Sequence, residues 1–221
     1  MSLFLSLKSF LKRRYKLPLK VTDNVLVLGS GPGSSIPSMF DGSWTLITIN
    51  ASQAAIAGDI TPDFTLVGTS TLRNKPANRE AKAALRGRKT RTLILFDRGK
   101  LIDNQRLKLL GLGYSYDRVV FVSTTDRLGW IRGATGADLG DKPSNGIAAA
   151  FLCASLGAKR ILMTGFSLTK EGHAYNEKNR ERAHVQGDRM ALHMALMRGM
   201  PILTNQSDFA GEAGVPYFDA D

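Results

Sequence analysis

Apolar residues recur along the chain in short, dense runs at 24–28, 45–50, 64–68, 92–96, 118–122, 160–164 and 201–204. Most lack the apolar–polar alternation of a half-exposed strand. They read instead as strands covered on both faces. Three- and four-residue spacing between the runs predicts helices over 76–87, 101–111, 145–157 and 177–199. Regular strand–helix alternation predicts an α/β protein with a single doubly wound, mostly parallel sheet of about seven strands, Rossmann-like in class. Such sheets bind ligands at the carboxyl ends of their strands. The glycine-punctuated stretch 124–143, with Gly129, Gly133, Gly136 and Gly140, reads as a long lid-like loop.

The first twenty residues differ from the rest. Over 2–16, Leu3, Leu7, Phe10 and Leu11 share one helical face with Phe4 beside them, and Lys8, Lys12, Arg13 and Lys16 lie on the flanks and far side. Pro18 ends this segment. The reading is a basic amphipathic helix in 1–20 followed by one α/β domain over 21–221. The chain is formally +11, and 1–20 supplies six of those charges with no acid among them. Charge so localised favours contact with an anionic membrane surface through 2–16 over a broad nucleic-acid face. The bland alternative is packing on the domain or on a partner subunit, which leaves homo-oligomerisation open. No run reaches the ~20 apolar residues of a membrane span. The apolar residues precede the charges and no small-residue cleavage site follows, so the segment does not read as a secretory signal. With Cys153 as the sole cysteine, in an apolar helix pattern, the expectation is a packed thiol in a reducing, cytoplasmic protein held peripherally at the inner face of a membrane.

Candidate chemistry sits at the ends of the predicted strands. Gly29-Ser30-Gly31-Pro32-Gly33 follows the first strand, where glycines let backbone approach a phosphate or sugar closely. The second strand ends at Asn50, where a dinucleotide site would carry an acid for the ribose, so another nucleotide fits better than NAD, with a tight structural turn that binds nothing as the alternative. Ser144-Asn145-Gly146 opens a predicted helix as an N-cap, after Pro143. Thr164-Gly165-Phe166-Ser167 ends a later strand on the same sheet edge. His184 and Tyr175 follow as an imidazole and a phenol, and His173 is a further imidazole two residues before Tyr175. His193 and the methionines at 190, 194, 197 and 200 fit a packed helix.

Together these segments resemble the bacterial sialyltransferases of glycosyltransferase family 42, from about 25 to 205 and most specifically over 142–191. The resemblance implies a GT-A-type variant of the Rossmann-like sheet and a CMP-activated sugar donor, with a glycan or lipid-linked acceptor. His184 would be the general base, and Tyr175 would hydrogen-bond the departing phosphate. It assigns donor and nucleotide contacts to Gly29, Ser30, Gly31, Asn50, Thr69, Ser144, Asn145, Gly146, Gly165 and Thr169. Ser30 and Thr69 stand where the family usually has Asn, and Thr169 stands where it has a second Tyr.

The chemistry is coherent on its own terms. Transfer from a cytidylyl-activated keto-acid sugar needs one group to deprotonate the attacking hydroxyl, and imidazole titrates in the right range. Helix-start N–H groups can steady the leaving phosphate, so neither a metal nor a cofactor is expected. Asp219-Ala-Asp221 has an Asp-x-Asp pattern, but at the chain end it does not read as a metal site. Two other classes stay open: a diphosphokinase-like transferase whose glycine loop cradles a triphosphate, and a non-catalytic membrane-surface module.

Overall fold

The computed structural model describes residues 19–96, 102–139, 143–169, 172–175 and 184–219. The amphipathic segment 2–16 and the first third of the helix expected over 177–199 lie outside them. Seven strands, β1 (Asn24–Leu28), β2 (Thr45–Ile49), β3 (Phe64–Val67), β4 (Lys89–Phe96), β5 (Ser115–Val122), β6 (Arg160–Thr164) and β7 (Ile202–Thr204), form one sheet in the order β5-β4-β3-β2-β1-β6-β7. Every pairing is parallel. The described helices are α1 (Arg79–Leu85), α2 (Ile102–Gly111), α3 (Thr124–Thr135), α4 (Asn145–Ser155), α5 (Val185–Met197) and α6 (Ser207–Ala213).

The strands lack polar alternation because both faces are covered. Val25 and Val27 of β1 enter a core shared with α4 and α5. Leu26 and Leu28 enter a separate one with Trp44, Leu46 and Leu162 on the opposite face. Helix α4 is buried along its whole length from Gly146 to Cys153, which is why its sequence is apolar all round. The Cys153 thiol is fully buried and its ionisation is suppressed by desolvation.

Chain order runs outward from β1 to β5 and then returns to the other side of β1 as β6. Leu28 is in register with both Thr48 and Thr164. The loops leaving β1 and β6 therefore depart in opposite senses. Their junction is the topological switch point where such sheets open a crevice.

Three departures from expectation have physical reasons. Strands β4 and β5 each begin three residues earlier than the apolar run, where β4 is in register with β5 alone: Thr90 is buried with its hydroxyl donating to the Pro62 carbonyl, and the other early residues are exposed or half-exposed. Helix α6 is too short to show a period, yet it buries Phe209 and Ala213. The expected loop over 124–143 is corrected: 124–135 is helix α3. Ser123 Oγ accepts the Asp126 N–H at 3.0 Å, and the Asp126 carboxylate accepts from Ser123 in return. This capping box starts the helix, and Gly136, at φ 75°, ends it. Gly129 and Gly133 have open space where a Cβ would stand, so they cost propensity but block no packing. Arg127, Ile131 and Ala134 supply the buried stripe.

Replacing Ser123 by Ala should lower stability by about 1 kcal/mol. A urea transition with an unmoved midpoint would show that the box does not hold α3.

Candidate active site

At the switch point two glycine loops cross in backbone contact. The Gly29 N–H donates to the Thr164 carbonyl and the Gly31 N–H to the Gly165 carbonyl, each at 2.7 Å. Ser34 Oγ donates to the Gly29 carbonyl at 2.7 Å. A Cβ on Gly29 would lie 2.3 Å from the Gly165 oxygen, and Gly165 itself has φ 75°. Only glycine fits either position.

Beside this crossing stands the N-terminus of α4. Ser144 occupies the cap position, but no side-chain hydrogen bond caps the helix. The expectation that Ser144 and Asn145 satisfy the first N–H groups is therefore corrected. The Asn145 amide instead lies against the end of β3, where a Cβ on Gly68 would come within 2.4 Å of its nitrogen. The helix is positioned through its backbone. Arg127 Nη2 of α3 donates to the Pro143 carbonyl at 2.6 Å, and the Ser144 N–H donates to Asp188 Oδ1 of α5 at 2.5 Å. That carbonyl and that N–H belong to one peptide group, held from both sides by side chains only 9% and 8% exposed. The Arg127 guanidinium also lies over the Phe96 ring at 4.6 Å.

Around these elements opens a cavity of about 630 Å³. It gathers Gly29, Ser30, Gly31, Asn50, Thr69, Ser144, Asn145, Gly146, Gly165 and His184 from among the residues expected to act. Asn50 sits in left-handed backbone at φ 54°. Its Oδ1 accepts from the Gly68 N–H at 2.8 Å and the Thr71 hydroxyl at 3.1 Å. Its side-chain carbonyl thus ties the ends of β2 and β3 together. His184 is the exposed N-cap residue of α5, at φ 73°. Its carbonyl accepts the Asp188 N–H at 2.8 Å, so the imidazole and the peptide clamp share one helical turn.

Two expected residues fall elsewhere. The Thr169 hydroxyl donates to Glu212 of α6. Tyr175 is half-buried against the Val67 and Leu72 cluster and does not line the cavity. In front of it stands His173, which does: the rings stack at 5.1 Å with planes 6° apart, and Ser30 Oγ lies 3.0 Å from His173 Nδ1. The buried pair Arg127 and Asp188 was not anticipated. A trace of it is legible, since Arg127 shares a helical stripe with Ile131 and Ala134, and Asp188 shares one with Ala191, Leu192 and Ala195. Among the described residues no group of three His, Cys, Asp or Glu is placed to hold a metal.

The loop leaving β6 is held from α6. The Phe166 N–H donates to Gln206 Oε1 at 2.8 Å, and Glu212 accepts from Ser167, Leu168 and Thr169. Burial would raise the Glu212 carboxyl, but these hydrogen bonds, led by the Thr169 hydroxyl, outweigh it and hold the group below its ordinary range.

No protein-family model and no curated protein matches the sequence. Among solved structures the chain has the seven-stranded α/β fold of GT-A-like sialyltransferases. It is similar to sialyltransferase CstII from Campylobacter jejuni in complex with the substrate analogue CMP-3FNeuAc: TM-score 0.52 at 11% identity, covering 89% of this chain and 86% of that one. CST-II in complex with a trisaccharide acceptor and CMP gives TM-score 0.53 at 12%, over 87% and 85%. The monofunctional α-2,3-sialyltransferase Cst-I of the same organism gives 0.53 at 10%, over 90% and 83%. At such identities the likeness is one of fold.

Because the folded Glu212 carboxyl is depressed, its contribution is complete above the ordinary value of the unfolded chain and is lost as pH falls through the folded one. Glu212→Gln should therefore lower stability at pH 7 and flatten the acid limb of the stability profile. Parallel limbs in variant and wild type, by urea denaturation between pH 3 and 7, would refute this role.

Proposed function

We propose that this protein is a sialyltransferase-like glycosyltransferase. It moves a nonulosonic-type sugar from a CMP-activated donor to a hydroxyl of a glycan or lipid-linked acceptor, with inversion and without a metal. The observation that carries this reading is one cavity at the switch point, where the α4 N-terminus without a side-chain cap faces an imidazole across the crossed glycine loops. The fold shared with CMP-sugar-using enzymes supports it.

Helix-start N–H groups and dipole favour anions, so the first turn of α4 suits the donor's carboxylate and phosphate. Ser144, Asn145 and Gly146 contact the donor sugar; the Asn50 amide nitrogen, Thr69 and the 29–31 backbone contact the nucleotide. His184 accepts the proton of the attacking hydroxyl as that oxygen bonds to the anomeric carbon and the carbon–phosphate ester bond breaks. A single base with direct displacement inverts the centre. Charge on the departing CMP is met by fixed N–H dipoles, which need no reorganisation as it develops. The basic segment 2–16 holds the enzyme at the inner face of an anionic membrane, where lipid-linked acceptors lie.

Calorimetry should show CMP binding tighter than ATP, with no requirement for Mg²⁺; the reverse preference would overturn the donor assignment. His184→Ala should reduce transfer about 10²- to 10⁴-fold while leaving CMP affinity nearly intact. Deleting residues 1–17 should release the protein from anionic vesicles in a flotation assay, and undiminished binding would remove the anchor role.

A further inference from the structure

The cavity holds a second imidazole that the mechanism above does not use. His173 lines it, with Nδ1 at 3.0 Å from Ser30 Oγ and its ring stacked on Tyr175 at a 6° interplanar angle. Tyr175, expected to meet the leaving phosphate, packs behind the His173 ring, and Thr169, in the place of the family's second Tyr, donates to Glu212. Ser30 and His173 come from the ends of different strands, 143 positions apart. Their juxtaposition is a product of the glycine crossing, and the Ala174 N–H bonded to the Ser30 carbonyl at 2.8 Å reinforces it.

Resting on the donor reading above, we infer that His173 is the leaving-group residue: its Nε2–H hydrogen-bonds the donor phosphate and supports the oxygen that departs with CMP. The chemistry follows from the Ser30 contact. A serine hydroxyl can donate to a neutral Nδ1 or accept from a protonated one. In the first case the proton of the neutral ring resides on Nε2; in the second Nδ1 carries a proton, and Nε2 carries one as well only when the ring is charged. The arrangement we assign has the Ser30 hydroxyl donating to Nδ1 of the neutral ring, which puts that ring's proton on Nε2; an asparagine oxygen at position 30 would only accept, and would hold the proton on Nδ1 instead. Stacking on Tyr175 fixes the ring plane. The step balances: the acceptor oxygen forms the new bond to the anomeric carbon and gives its proton to His184. The electron pair of the broken carbon–oxygen bond stays on the phosphate, where the His173 N–H meets it. The division of labour is then two imidazoles, one for each proton-bearing end of the displacement. Other charged or titratable side chains lining the cavity are Arg73, Arg127, His184 and Asp188, and Tyr175 is the titratable group packed on the ring.

The chain has three histidines, so each imidazole can be followed by NMR in the full-length protein, with His173→Asn and His193→Asn giving the assignments. Titration with pH is compared for the free protein and with CMP, cytidine or inorganic phosphate present. A phosphate dianion against the ring should raise the proton affinity of His173 about tenfold with CMP and with inorganic phosphate, and leave it unchanged with cytidine. A His173 titration unmoved by bound CMP would overturn the assignment. A response to inorganic phosphate without any CMP binding would retain the phosphate site and sink the donor reading instead; silence toward both would end each. In the activity assay His173→Asn should lower kcat about 100-fold with acceptor KM unchanged. Ser30→Ala should lower it less, and most at high pH, where the neutral ring must be held in the Nε2–H form. A loss in Ser30→Ala that is the same at every pH would refute the tautomer role.

Discussion

The site depends on a backbone contact that no side chain can enter. Where β1 and β6 end, Gly29 and Gly31 donate to the carbonyls of Thr164 and Gly165 at 2.7 Å, and the chains pass so closely that a single methyl group at position 29 would meet a carbonyl oxygen at 2.3 Å. This crossing turns the switch point of a parallel sheet into a cavity of defined shape. It aims the Ser30 side chain at the loop after β6 and sets Phe166 against Gly146, where a Cβ would lie 2.2 Å from the ring. Glycine at these positions is therefore a matter of volume as well as of left-handed backbone.

The second constraint is electrostatic. Helix α4 starts at the cavity with no side-chain cap on its first N–H groups. Such a terminus needs other support, and it comes from two buried charges of opposite sign. Arg127 and Asp188 hold the carbonyl and the N–H of the same peptide group. Burial makes these hydrogen bonds strong, and opposite signs across one peptide keep the local charge balanced. Since Asp188 lies one turn from His184, the clamp also fixes the α4 terminus relative to the imidazole. The helices thus set the distance between the α4 start and His184, while the loop crossing shapes the cavity between them.

Much of the fold was legible. The strand cores were readable because burial on both faces leaves unbroken apolar runs, as in Leu26–Leu28 split between two cores. Helix α3 was missed because four glycines outweighed Ser123-Thr-Thr-Asp126, whose reciprocal hydrogen bonds are a local start signal with an acid in place of the commoner Glu. Helix α6 was missed because seven residues give too short a period, although Phe209 and Glu212 tie it to the site. Among the site residues, those anchored at strand ends and helix starts could be inferred from position. Thr169 and Tyr175 could not, because the loop carrying them takes its path from Glu212 and from the hydrophobic cluster under β3.

What the sequence alone determined is the alternation of strands and helices, a mostly parallel sheet and the edge where the cavity opens, since periodicity and glycine punctuation are local properties. Tertiary structure decided which side chains meet. Ser30 reaches His173, and Arg127 and Asp188 close on one peptide, across separations of 143 and 61 positions. Such pairings follow from close packing of elements distant in the chain, and no local pattern of apolar and polar residues encodes them.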